Sequence, residues 1–180
     1  MEQVQESARE IRTERLLLRP HNMADAPAIA ELCGNYNVSK WTTNIPHPYS
    51  LQDAEDFISL CQAWWKNGKD CAFVITLHDT GQIIGTIGAH MREAGEFEVG
   101  YWLGEPFWKK GYATETAIAM IGYIREKRNP ERIWAGYADG NAASARVLEK
   151  AGFVKLGASK CVASKAQQKE MTCNLMELQM

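Results

Sequence analysis

Glu98-Val99-Gly100-Tyr101-Trp102-Leu103-Gly104-Glu105-Pro106-Phe107-Trp108-Lys109-Lys110-Gly111-Tyr112-Ala113-Thr114-Glu115 is the stretch on which the fold turns. Its first half crowds β-branched and aromatic residues and is closed by Gly104 and Pro106, the pattern of a strand. Its second half opens a helix, because Ala117, Ile118, Ile121 and Ile124 follow at helical spacing. A short loop with two lysines and Gly111 joins the two. A strand, a glycine-bearing loop and a helix in that order leave main-chain N–H groups free at the positive end of the helix dipole, which suits a phosphate. The plainer alternative is an ordinary strand–helix turn capped by Thr114.

Spacing narrows the choice. A nucleoside-triphosphate loop needs G-x-x-x-x-G-K-[ST], but the residue five after Gly104 is Lys109, and no Ser or Thr directly follows the lysines. A dinucleotide fingerprint needs three glycines, of which only Gly111 is suitably placed. What remains, Trp108-x-x-Gly111-x-Ala113, resembles the Q/R-x-x-G-x-G/A pyrophosphate loop of the GNAT acetyltransferases. The longer string Trp108 to Glu115 is similar to the branch containing the RimJ/RimL ribosomal-protein N-terminal acetyltransferases. Trp108 stands where most of the family has Gln or Arg, which removes one polar contact and leaves the backbone amides.

Working outward, Thr13 to Arg19 reads as a first strand ended by Pro20, and it resembles the opening strand of the same branch. Asp25 can cap a short helix through Leu32. Asn35 to Ser50 lacks a helical period and carries Trp41, His47 and Tyr49, either as a binding wall or as pins to the core. Ser50 and Asp53 form a capping box for an amphipathic helix ended by Gly68. Cys71–Leu77 and Ile83–His90 form a hairpin, and Phe97–Leu103 follows. Past Pro130, Ile133–Tyr137 returns as a strand, parallel to the central one by a right-handed crossover. Ala142–Lys150 is a helix, Phe153–Ala158 a strand, Ser159–Glu170 a lysine-bearing connection and Met171–Met180 a closing strand.

A second informative string is Asn141-x-x-Ser144…Leu148-x-Lys150-x-Gly152-Phe153. Asn141 is a natural N-cap and Ser144 lies one turn in. The string is similar to the GNAT segment that flanks coenzyme A from the other side. Each residue also has a bland reading: a cap, a surface hydroxyl, a solvated charge. Two strings in the right order, with a strand between them, carry more than either does alone.

The resemblance therefore implies an α+β GNAT (acyl-CoA N-acyltransferase) fold. Its sheet is mixed, mostly antiparallel and six- to seven-stranded, with helices on both faces and a splayed central strand pair. Residues 1–12 read as a polar leader and 13–180 as one domain. The implied activity is acetyl transfer from acetyl-CoA to a primary amine, a protein N-terminus or a small amine, by direct attack in a ternary complex. A non-catalytic acyl-CoA-binding module is the competing class, and a structural protein without coenzyme A the third.

The implied cofactor contacts are Trp102 and Leu103 for the pantetheine arm. Trp108, Lys109, Lys110, Gly111, Tyr112, Ala113 and Thr114 hold the pyrophosphate, and Asn141, Ser144 and Lys150 lie on the second flank. Strand alternation puts Glu96, Glu98, Gly100 and Trp102 on one face. Glu98 is the expected base, beside aromatic surface, with Glu96 in reserve. Ser144 is the expected acid toward sulfur and Tyr137 the alternative, with a main-chain N–H near Leu103 facing the carbonyl oxygen. Trp41, Thr42, Tyr49 and Glu96 would line the acceptor side, and Glu93, Glu96, Glu98 and Glu105 an acidic rim.

Composition sets the outer bounds. The 180 residues are 46% hydrophobic, enough for one sizeable core, and the net charge of −2 argues against bulk attraction to nucleic acid. No apolar run reaches membrane-spanning length. The five scattered cysteines form no C-x-x-C or Cys/His cluster, so no metal and no disulfide framework is expected, and a cytoplasmic protein is. None has a partner histidine near the motifs, which argues against a cysteine nucleophile. Many relatives pair, which leaves a homodimer open.

Overall fold

Residues 9–68 and 70–179 are described in the computed structural model. In chain order the strands among them are β1 (Ile11–Arg12), β2 (Leu16–Arg19), β3 (Cys71–Leu77), β4 (Ile83–Glu93), β5 (Glu96–Leu103), β6 (Arg132–Ala138), β7 (Phe153–Ser164) and β8 (Lys169–Leu178). The helices are α1 (Ala26–Gly34), α2 (Tyr36–Ser39), α3 (Leu51–Asn67), α4 (Tyr112–Arg128) and α5 (Ala142–Lys150). All strands join one sheet in the order β1-β2-β3-β4-β5-β6-β8-β7. Every neighbouring pair is antiparallel except β5–β6, the parallel pair that the crossover through α4 requires.

Side chains alternate between two covered faces. On one, Phe97, Val99 and Leu103 of β5 join Met120, Ile121 and Ile124 of α4 and Leu148 of α5 in the main core. On the other, Ala26, Ile29 and Cys33 of α1 pack with Ala54 and Ile58 of α3, and Trp102 leans against them. Burying each of the larger side chains here, the Leu, Ile, Val, Met and Phe, contributes about 1.5–3 kcal/mol. The Ser50–Asp53 capping box and the left-handed Gly68 bound α3 as expected.

The sheet has two more pieces than the sequence pattern suggests. Ile11 and Arg12 pair with Leu18 and Leu17, so this end of the expected leader is a sheet edge; residues 1–8 lie outside the described residues. The expected connection Ser159–Glu170 is mostly a long hairpin, with a register break between Lys155 and Ser159. Only Phe153 and Ser164 of β7 are buried, so main-chain pairing forms the strand without the apolar alternation that marks one. Two local expectations also change. Tyr36–Ser39 is a helical turn inside the segment read as irregular, capped by Asn35. The carboxylate of Asp25 does not cap α1; it accepts from Arg19 and from the Asn22 N–H. Among the described residues no helix is long and apolar enough to cross a membrane.

Candidate active site

The central strands separate. Pairing of β5 with β6 runs from Glu96–Arg132 to Val99–Ala135 and stops. Beyond it Gly100–Leu103 stay on β4, while Gly136–Ala138 stay on β8. The result is a fork that opens toward the C-terminal ends of both strands. Gly104 N–H donates to Ile84 O on β4, and Trp102 O lies against Gly85, where a Cβ would collide with it. Alternation then turns the main-chain groups of Tyr101 and Leu103 into the fork. The expected main-chain role of Trp102 is thereby corrected, since its groups serve β4. The Leu103 carbonyl accepts from the Trp108 indole at 2.8 Å, so the N–H of Leu103 and the groups of Tyr101 form the open edge.

At the top of β5 a short loop leads from Gly104 to the start of α4. Phe107 and Trp108 amides close a short turn onto Gly104 and Glu105. Lys109 and Gly111 are left-handed, with φ of 61° and 83°. The helix starts at Tyr112, with Gly111 as its uncapped N-cap; Thr114 lies inside the first turn and is not the cap. The first helical bond is Glu115 N–H to Gly111 O. Among the described residues, the amides from Lys109 to Thr114 have no acceptor. Such a row of unpaired donors at a helix N-terminus fits a diphosphate.

Arg15 holds this loop in place, a role that sequence reasoning missed. Its guanidinium donates to Lys110 O at 2.9 Å and to Glu115 Oε2 at 2.8 Å, and lies over the Tyr112 ring. Glu115 also accepts from Thr13 Oγ1 at 2.6 Å and from the Arg15 N–H. Burial alone would raise the Glu115 carboxyl, but these bonds hold it below the usual carboxylate range. Its charge is spent on Arg15 rather than repelling an anion beside it. The Thr13–Arg15 string was visible; its partner a hundred residues away was not.

The mouth of α5 faces the fork from the other side. Asn141 caps the helix by accepting from Ser144 N–H at 3.1 Å. Ser144 Oγ lies 3.0 Å from the hydroxyl of Tyr101 on β5. Burial pushes the Tyr101 phenol up to about 12, against the smaller downward effect of the Ser144 bond, so it stays protonated. Tyr101 is the second residue missed, although alternation alone aims it at the α4–α5 face. Tyr137 lines a hollow of about 170 Å³ with Lys155, Ser159 and Asn174 on the β7–β8 side. Lys150 is exposed at the far end of α5 from Asn141 and Ser144.

Glu98 sits just before the fork, opposite His90 on β4. Arg92 donates to Oε2 at 2.6 Å and Lys160 to Oε1 at 3.2 Å, and Lys160 also lies over the ring of Trp134, which stands beside Glu98 on β6. Glu96, at the closed end of β5, contacts Arg132, which also pairs with Glu177. Glu105 accepts from Asn35 and Asn37. Of the expected acidic rim, Glu96 and Glu98 are thus paired with cations, while Glu105 is held by neutral amides.

The segment after α2 reaches both the α5 mouth and the β7–β8 hairpin. Trp41 reaches within 4.0 Å of a Cβ position on Gly140, next to the α5 mouth. Thr42 O accepts from Ser164 Oγ at the hairpin tip. Tyr49 packs with Ile45 and Trp102 against the α1–α3 cluster, the pinning role.

A forked parallel pair in a mixed sheet, with a donor-rich loop above one prong and a helix mouth above the other, defines an acyl-coenzyme-A-dependent transferase. Residues 15–154 match the acetyltransferase (GNAT) domain family, and the chain belongs to it; it is an acetyl-CoA-dependent N-acetyltransferase. An uncharacterized N-acetyltransferase, p20 of Bacillus licheniformis, is 32% identical over 81% of this chain and 82% of its own length. The fold is similar to that of a GNAT-family acetyltransferase from Bacillus anthracis, with TM-score 0.81, 23% identity and coverage of 94% and 97% of the two chains. It is also similar to RimL, a ribosomal L7/L12 α-N-protein acetyltransferase solved with coenzyme A, with TM-score 0.80, 17% identity and coverage of 93% and 96%.

Proposed function

We propose that the amine attacks the thioester directly while both substrates are bound in the fork. The amides from Lys109 to Thr114, backed by Lys109 and Lys110, take the pyrophosphate, and the edge formed by Tyr101 and Leu103 takes the pantetheine arm. The Leu103 N–H faces the carbonyl oxygen as it gains charge. As the C–N bond forms and the C–S bond breaks, the Tyr101–Ser144 hydroxyl pair delivers a proton to sulfur, and Tyr101 recovers it from solvent. Trp41 and Thr42 line the acceptor's approach, and the proton shed by the amine leaves on the face that carries Glu98. The acceptor is a protein N-terminus or a small amine. The unpaired thiols support a cytoplasmic setting.

The single observation behind this reading is the end of β5–β6 pairing at Val99–Ala135 directly below a loop of unpaired amides. The experiment is a screen of peptides, polyamines and aminoglycosides for thiol release from acetyl-CoA, with calorimetry of acetyl-CoA binding alongside. Release with at least one amine supports transfer. Binding without release would indicate a carrier module, and no binding would sink the assignment of the loop.

A further inference from the structure

The acceptor face holds one side-chain cluster that the proposed chemistry leaves unused. His90 projects from β4 on the face of Glu98 and Trp102. The edge of its ring meets the Trp64 indole of α3, with centroids 4.7 Å apart. Nδ1 points toward Asp70 Oδ2 at 3.6 Å, and Asp70 is fixed by accepting from the Met91 N–H at 2.8 Å. Nε2 leans back along the strand: a Cβ on Gly88 would lie 3.1 Å from it. Gly88 pairs with Gly100, the first residue of β5 beyond the fork, where a Cβ would meet nothing within 4 Å. Nε2 therefore overhangs a glycine floor at the opening through which an amine must approach.

We propose that His90, oriented by Asp70, is the proton acceptor for the incoming amine, and that Glu98 holds Arg92 and Lys160 in place. This rests on the acetyltransferase reading. The ammonium passes one proton to Nε2, the neutral amine adds to the carbonyl carbon, and the imidazolium returns its proton to solvent. The charged groups around the ring are Asp70 before β3, Arg92 on the same strand and Glu98 on β5. Burial, the largest effect, lowers the affinity of His90 for a proton, and Asp70 opposes it. The ring is then neutral at pH 7 and able to accept.

The test compares His90→Gln, Asp70→Asn and Glu98→Gln by thiol release from acetyl-CoA, with the best amine of the screen and with water alone as acceptor. Removing a general base costs about 100-fold or more in kcat. His90→Gln should lose that much and lose the acid limb of the pH–rate profile, with acetyl-CoA affinity unchanged by calorimetry. Asp70→Asn should move that limb to lower pH, whereas Glu98→Gln should leave the limb present. An unaltered limb in His90→Gln overturns the proposal. So does a wild-type ¹⁵N spectrum at pH 7 in which the His90 ring is doubly protonated or carries its proton on Nε2. If the wild type binds no acetyl-CoA, the acetyltransferase reading itself fails; if it binds and turns over while His90→Gln does too, only His90 falls.

Discussion

Gly111 shows how much the loop between β5 and α4 asks of one residue. At φ 83° a side chain is strained, and a Cβ there would stand 3.3 Å from Arg15 Nη2, the guanidinium that holds the loop to Glu115. Left-handed backbone costs a residue with a Cβ about 1–2 kcal/mol. Gly111→Ala should therefore lose roughly that much stability in urea titration and weaken acetyl-CoA about tenfold by calorimetry, as Arg15 is displaced. An alanine variant with native affinity would mean that the Arg15 contact does not shape the donors. A second residue-scale effect lies away from the site. His21 is buried, its Nε2 meets Thr86 Oγ1 at 3.2 Å, and its Nδ1 has no hydrogen-bond partner among the described residues. Burial, chiefly, lowers its pKa from 6.5 to about 4. The unfolded chain thus binds a proton below 6.5 that the native chain refuses until about 4, so stability falls as pH drops through that window. The gap is worth roughly 3 kcal/mol. Asp25, held low although its burial opposes this by hydrogen bonds from Arg19 and Asn22, loses its contribution only below the window. Denaturation midpoints of wild type and His21→Gln at pH 7.5 and 4.5 check this: the variant should show the shallower loss.

At the scale of elements, the fork depends on what β5 lacks. Gly100 gives β5 no side chain where it leaves β6, and a Cβ there meets open space. Gly100→Val should keep or slightly raise stability, since valine suits a strand. It should raise the acceptor KM at least about tenfold through lost access, with acetyl-CoA affinity nearly unchanged. Equal weakening for both substrates would place the acceptor elsewhere. The elements legible in the sequence were those with local signatures. Ser50 with Asp53, the apolar spacing of α4 and the Asn141 cap each lie within a few residues of what they determine. The extension of the β7–β8 hairpin through Ser159–Glu170 was not legible, because β7 is largely exposed between Phe153 and Ser164 and owes its form to pairing. In the site, the loop could be read from Trp108 to Ala113, whereas the Arg15–Glu115 clamp and the Tyr101–Ser144 contact join residues 100 and 43 positions apart. The cations on Glu98 were hidden likewise, since Lys160 arrives from the unforeseen hairpin.

At the scale of the whole molecule, the sheet is two antiparallel blocks joined through one short parallel seam. β1–β5 form one block and β6–β8 the other, and the seam spans Glu96–Val99 with Arg132–Ala135. The segment after α2 ties them again at the far rim, where Thr42 and Thr43 carbonyls accept from Ser164 and Lys165. A ligand bonded to the Lys109–Thr114 loop on one block and lying against the α5 mouth on the other bridges this seam. It therefore binds the native state and not the separated blocks. At a hundred times its Kd such a ligand adds about 2.7 kcal/mol. For a domain of this size that corresponds to roughly 5–10 °C in melting temperature. Acetyl-CoA should give that shift, coenzyme A nearly the same, and dephosphorylated pantetheine far less, because it lacks the diphosphate for the loop amides. Hydrogen exchange should slow most at Tyr101, Leu103 and Lys109 to Thr114. Protection confined to the loop, with no slowing at Tyr101 and Leu103, would mean that the ligand sits above the fork instead of closing it, and transfer in the fork would then have to be abandoned.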